Sequence, residues 1–360
     1  LALLGELDAL RIPEHAYVNP ETDAAHCCGH HAQMAGIFGA ALALTVPEIA
    51  EKLGGQVVFF ATPAEEYGEI EFKNQLREQG KIRYGGGKCE LIRTGAFDDI
   101  DLCLAHHIQP GDEIQVGSGT GFVSKVIRYL GKAAHAAGAP DKGVNALSAA
   151  SLGLQALGLN RETFRDEDCV RVHPIITKGG NLVNVIPDEI VIETLVRAKT
   201  IEAFTDAAKK TDRSFQAGAV AMGAKVEITT LPGYLPTLAE QALPELKRAA
   251  ELAAPEVPVR EAAGHSGGST DVGDVQHLMP VYTFNTGGVK GGLHQINFEV
   301  TNEEEAYIDT AKMFALAAYG LLKEKAARSK ELVKNYKPVF KDSAEYTKFM
   351  EQFDSKEVLD

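Results

Sequence analysis

Five side chains that bind soft and borderline metals fall within six residues at His26–His31, which read HCCGHH. Thiolate and imidazole are the donors that an ion such as zinc prefers. Cys28 and His30 are separated by a single glycine, which can bend the chain so that both side chains face one ion. A lone histidine or thiol is more often a packed or surface residue; such a dense group favours ligation. Three further groups could complete a site. Pro63–Glu66 (PAEE) follows a compact apolar segment, and two adjacent carboxylates there can divide the work, one holding metal and the other free as a base. Asp101–His107 (DLCLAHH) ends a second apolar segment in two histidines. Leu293–Phe298 (LHQINF) places His294 after the glycine-rich GGVKGG. Taken singly, these three are better read as a helix start or as exposed side chains. Together they put Cys, His, Glu, His and His at the ends of successive elements, a set that could hold one or two divalent ions.

The elements that must carry these residues fall into two patterns. In the first third, strands alternate with helices. Leu1–Leu4 is a short apolar run, Ala32–Leu44 has helical spacing, Pro47 opens a helical turn closed by Gly54 and Gly55, and Gln56–Thr62 and Asp101–Ala105 read as strands. This predicts an α/β sheet covered by helices, in which sites gather at the carboxyl ends of strands. The middle reads as strand 122–130, helix 143–157, strands 170–177 and 189–199, helix 201–222 and strand 225–230. That βαββαβ order is ferredoxin-like, and it interrupts the first pattern, which resumes near Leu235. The domains expected are therefore a catalytic domain over 1–118 and 235–327, an insert over 119–234, and a charged, weakly patterned C-terminal appendage over 328–360. A helix is expected at 241–253, a strand at 281–284, and a last long helix from a capping box at Thr301 and Glu304 to about Lys325.

Bulk properties narrow the partners. The 360 residues carry a net charge of -14, which argues against nucleic acid, because phosphate binding needs a basic footprint. No apolar run is long enough to cross a bilayer. Five sparse cysteines do not make a disulfide framework, so a reducing, cytoplasmic setting is expected. The chain opens at Leu1 in an apolar run, without methionine, and reads as a fragment lacking a preceding segment.

Two short strings point elsewhere. Gly264–Gly268 (GHSGG) matches the nucleophile elbow of serine hydrolases, with Ser266, Asp271 and His294 in the order that class uses. The segment before it, VPVREAA, is short and charged, and a serine mechanism leaves the Cys/His group unexplained. Gly85–Lys88 (GGGK) lacks the spacing of a phosphate loop and reads as a turn.

The ordered set of CGH, PAEE, a strand ending in His and a distant LH resembles the aminoacylase-like metallopeptidase and amidohydrolase family. ELDAL, GGGKCELIRTGAF, GKAAHAA, GGNLVNVIPDE with LVRA, and GGSTDVGDV resemble it too, the last pointing to its p-aminobenzoyl-glutamate hydrolase-like branch. The resemblance implies a metal-dependent amide hydrolase. Its catalytic domain would carry an inserted lid that also forms a homodimer. It implies zinc or manganese held by Cys28, His30, Glu66, His107 and His294, with Glu65 as general base. His135 would reach the partner's site, while Asn184 and Arg197 would engage a small amide substrate bearing a carboxylate. Two features depart from the family. His31 stands where Asp or Asn is usual, and Tyr67–Tyr84 separates PAEE from GGGK. An inactive, ligand-binding dimer is the non-enzymatic alternative.

Overall fold

The computed structural model describes residues 1–359. Its strands form two main sheets. The first runs Arg260–Ala262, Glu113–Gln115, Val281–Thr286, Cys103–Ile108, Ala2–Glu6 and Val58–Thr62 in spatial order. The last four strands are mutually parallel, and only the Glu113–Gln115 to Val281–Thr286 pairing is antiparallel. Parallel strands need crossovers, and helix His30–Leu44 makes the first of them, between Ala2–Glu6 and Val58–Thr62. The apolar run at the N-terminus proves to be an interior strand covered on both faces. Leu1 and Leu3 join a core with Ile37, Ala40, Phe314 and Ala317. Ala2 and Leu4 point the other way, towards Cys89, Ile92 and Phe97.

The second sheet is antiparallel, with Ser355–Leu359, Lys225–Pro232, Gly121–Leu130, Glu189–Ala198 and Arg171–Val172 in order. Helices Ala146–Asn160 and Ile201–Met222 pack against it and each other. Asn145 and Thr200 cap these helices with side-chain oxygens that accept backbone N–H groups. The single strand expected over 170–177 is two pieces, Arg171–Val172 and Ile175–Lys178, because Pro174 lies between them and cannot donate to the ladder.

Three further expectations differ from the structure. GGGK is no turn: Gly87 opens helix Gly87–Arg93, and Lys88 is fully buried. The capping box does not form. Thr301 Oγ1 donates to the Gly288 carbonyl and Asn302 Oδ1 accepts from Glu305 N–H, so a π-helical turn, Glu304–Asp309, leads into the last long helix. That helix breaks at Lys323–Ala326, where three residues take left-handed φ, and then continues to Asn335. The remainder is packed rather than a peripheral appendage. Tyr346 is fully buried and donates to Asp274 Oδ1 at 2.8 Å, while Ser355–Leu359 extends the second sheet. Charged residues mask the pattern because the apolar anchors Tyr346, Met350 and Phe353 sit on one short helix, Ser343–Met350, and the turn after it, with Phe340 alone before them.

Candidate metal centre and active site

Three strand ends and two loops meet at the carboxyl edge of the first sheet. Cys28 and His30 flank Gly29, which sits at φ +79. A Cβ there would meet Ile108 Cγ2 at 2.0 Å, so glycine alone lets the turn close over strand Cys103–Ile108. After strand Val58–Thr62 the chain reverses at Ala64, φ +56. The turn is held by Gly87 N–H donating to the Ala64 carbonyl at 2.9 Å, and it presents Glu65 and Glu66. Within Cys103–Ile108 successive side chains alternate. His106 points into the core, where Nε2 meets Thr286 Oγ1 at 2.8 Å, and His107 points into the site. His294 is a non-glycine residue at φ +62, fastened by its N–H to the Cys27 carbonyl at 2.9 Å. Such conformations concentrate at functional sites.

These residues converge. His107 Nε2 lies 3.4 Å from Cys28 Sγ, His294 Nε2 lies 3.1 Å from the same sulfur, and His294 Nε2 is 3.0 Å from Glu66 Oε1. Two donor triads result, Cys28–His30–His107 and Cys28–Glu66–His294, with all donor atoms in each within 4.8 Å of one another and the sulfur common to both. Glu65 Oε2 stands 4.0 Å from His30 Nε2. A third group, Glu6–His30–Glu65, meets the same criterion.

The donor set fits a divalent cation. His30 Nε2 and Glu66 Oε1 are buried without a well-directed hydrogen bond, the condition of donors that point at an ion. Glu6, Asp8, Glu65, Glu66 and Asp271 bring more negative charge than His30 and Lys88 offset. Burial, then the charges of Glu6 and Asp271, pushes the Glu65 carboxyl well above the usual range. Burial, then Glu66 and Glu65, likewise raises the Cys28 thiol. Burial also works to raise Glu66, but the His294 hydrogen bond and charge outweigh it and hold the carboxyl low. Against its own burial, His30 is raised to about 9 by Asp8 and Glu6. Despite burial, Asp8 is held at about 2 by His30 and by the backbone N–H of Glu66.

Several participants were given no role by the motifs. Lys88 Nζ bridges Glu6 Oε1 at 2.5 Å and Asp271 Oδ1 at 2.6 Å, all three groups buried. Tyr234 donates to the Glu65 carbonyl at 2.5 Å. ELDAL alternates as a strand does, a sign that Glu6 and Asp8 share one side; nothing local marks Lys88 or Tyr234. His31 stays outside the triads, its ring against His26 and Tyr307.

The remaining candidates lie elsewhere. Arg197 of the second sheet donates to Ser269 Oγ at 2.9 Å and lies over the Phe122 ring. His135 and Asn184 are neighbours on an exposed ribbon, the Ala136 N–H donating to the Asn184 carbonyl. Neither makes a hydrogen bond or ion pair with the cluster among the described residues. The serine-hydrolase alternative is excluded by geometry. Ser266 Oγ accepts from Gly268 N–H, Asp271 is bound to Lys88, and His294 faces Cys28 and Glu66.

Such a cluster, at the carboxyl edge of a mostly parallel sheet, is that of a metal-dependent hydrolase. The chain belongs to peptidase family M20/M25/M40, whose model matches residues 2–319, and it is a metallopeptidase or amidohydrolase of that family. It is 29% identical over 324 residues to the Xaa-Arg dipeptidase of Mus musculus, covering 87% of this chain and 67% of that protein. It is 31% identical over 209 residues to the N-acetyl-L-cysteine deacetylase of Bacillus subtilis, covering 55% of this chain and 45% of that one. The fold is shared with the YXEP protein of Bacillus subtilis, described as a dinuclear metal-binding peptidase of the M20 family. The TM-score is 0.60 and the identity 22%, over 89% of this chain and 81% of the other. It is shared too with an aminobenzoyl-glutamate utilization protein from Klebsiella pneumoniae, with a TM-score of 0.58 and 20% identity over 89% and 70%. No helix among the described residues is long and apolar enough to cross a membrane.

Proposed function

We propose that this chain hydrolyses the amide bond of a small carboxylate-bearing substrate, an N-acyl amino acid, a p-aminobenzoyl-glutamate-like amide or a dipeptide. The observation that carries this reading is the pair of donor triads sharing Cys28, with Glu65 beside them and outside both. Cys28, His30, Glu66, His107 and His294 would hold one or two zinc or manganese ions. A bound divalent ion polarises a carbonyl and lowers the pKa of water. Glu65 accepts the proton of the attacking water and delivers it to the leaving amine. Arg197 binds the substrate carboxylate, for which a guanidinium fork is suited.

The second sheet and its helices act as a lid and as the dimer contact. Edge strand Ile175–Lys178 and the following loop expose Ile175, Ile176, Leu182 and Val183, the last adjoining Asn184 in the chain. A second copy covering those side chains would bring His135 of each protomer to the partner's site, to donate to the oxyanion, with Asn184 beside it on the substrate. The test is Glu65→Gln. It should retain wild-type metal content and lose hydrolysis of acyl amino acids by at least about a hundredfold; near-normal turnover refutes the assignment.

A further inference from the structure

The segment that departs from the family pattern, Tyr67–Tyr84, folds as helix Ile70–Glu78 and delivers a lysine to the rim of the site. The helix is anchored at both ends. Ile70 packs with Val126, Val191 and Leu231 of the second sheet, and Arg77 pairs with Asp354 at 2.6 Å. Between them Lys73 turns back over its own chain. Its Nζ donates to the Glu66 carbonyl at 2.7 Å and lies 4.9 Å from the centre of the Tyr67 ring. The carboxylates of Asp8, Asp271, Glu65 and Glu66 all bear on it, yet it makes no ion pair with any carboxylate among the described residues. An ammonium has three protons; the Glu66 carbonyl takes one, and two are left for a ligand.

Besides Lys88, which is already paired with Glu6 and Asp271, Lys73 is one of two cations near the glutamate pair that make no ion pair among the described residues. The other is Arg197, on which Glu65 and Glu66 also bear. Aromatic rings separate them: Tyr67 meets Phe122 edge to face with centroids 5.1 Å apart, and Arg197 lies over the far ring at 5.1 Å. These rings fix both cations relative to Glu65. A substrate with one carboxylate satisfies Arg197 and leaves two Lys73 protons without a paired acceptor. A substrate with two satisfies both, and in this acidic surrounding a second anion is admitted only where a cation meets it.

Building on the amide-hydrolase reading, we infer that Lys73 is a specificity-determining residue that selects amides carrying two carboxylates, the class of N-acylated acidic amino acids, through an ion pair with the second one.

The test compares isosteres that differ only in that charge. N-Benzoylglutamate and N-benzoylglutamine are assayed with metal-loaded protein, and the binding of glutarate and of its monoamide is measured by calorimetry. Wild type should favour the diacid at least about tenfold in kcat/KM and in Kd, in line with one charge-assisted contact. Lys73→Met should abolish the preference while changing glutamine-substrate turnover less than about threefold, and Lys73→Arg should restore part of it. Equal handling of the isosteres by wild type overturns the inference and leaves the amide-hydrolase reading standing. So does an equal loss on both substrates in Lys73→Met, which assigns the lysine only to holding the Glu66 carbonyl. If no acyl amino acid is hydrolysed, that reading falls, and the calorimetric comparison alone decides on Lys73.

Discussion

Tyr234 donates its phenolic proton to the backbone carbonyl of Glu65 at 2.5 Å. Tyr234 follows strand Lys225–Pro232 of the second sheet, and Glu65 follows the edge strand of the first. One hydrogen bond thus sets the glutamate relative to the element bearing Arg197. Its ring is wedged against Phe122 and Tyr67, so the hydroxyl has little freedom. Tyr234→Phe keeps the packing and removes the bond. We expect kcat to fall roughly tenfold, the scale of a slight misplacement of a reacting group, with metal content and KM little changed. Metal analysis beside steady-state kinetics checks this; an unchanged kcat would show that Glu65 is held by other means.

Cys28 supplies the one atom common to both triads. Its loss should therefore damage both at once, whereas removing His107 or Glu66 damages one. Cys28→Ala is expected to bind less than half the metal of the wild type and to lose nearly all hydrolysis. Cys28→Ser, with a harder donor, should fall between them. Chelation of the wild type should abolish activity, and added zinc or manganese should restore it. Full metal content in Cys28→Ala would remove the sulfur from the site.

Lys88 is buried between Glu6 and Asp271. Removing one partner of a buried ionic group leaves uncompensated charge at a cost of about 3–5 kcal/mol. Lys88→Met should lower unfolding stability by that order, read from denaturant midpoints. The double variant Lys88→Met with Asp271→Asn should lose less, because one stranded charge is neutralised. A larger loss in the double variant contradicts the pairing.

Asp112 offers a pH signature remote from the cluster. Burial, then the charges of Glu305 and Asp309, raises its carboxyl to about 6, although the Gly287 N–H opposes this. The folded protein therefore holds this proton more tightly than the unfolded chain. Its favourable contribution is full below about pH 4 and is lost as pH rises through 6. Asn keeps an acceptor for Gly287 and does not titrate. Asp112→Asn should thus be more stable than wild type by about 1–2 kcal/mol at pH 7, and the advantage should shrink towards pH 4. Parallel stability–pH curves would refute the assignment.

The donor residues were legible because their chemical type is informative without neighbours. HCCGHH points to metal by its density, PAEE, HH and LH only as an ordered set with it, and the structure draws Cys28, His30, Glu66, His107 and His294 together. Alternation along a strand decides between His106 and His107. Most elements were legible for the same reason: Ile201–Met222 carries both its cap and its period. Lys88, Tyr234 and Lys73 were not, because each works through a contact far along the chain or through a turn whose course no local pattern fixes. GGGK shows the difficulty. A glycine run reads as flexible, yet here close approach demands it: a Cβ on Gly87 would lie 1.6 Å from the Pro63 carbonyl oxygen. The C-terminal packing was hidden because its anchors Tyr346, Met350 and Phe353, though helically spaced, cover barely two turns among charged neighbours.

Those anchors have a mechanical consequence. The chain passes between the two sheets near Gly121 and near Pro232, and two crossings side by side define an axis about which one body can swing. The segment after Asn335 makes a third link beside that axis, tied at Tyr346 to Asp274, which also accepts from the Leu235 N–H, and finishing as strand Ser355–Leu359 alongside Lys225–Pro232. A third strap beside the pivot stiffens it without locking it. The swing that sets the distance between Arg197 and the glutamate pair is then short, so the lid tunes that spacing over a narrow range of substrate lengths.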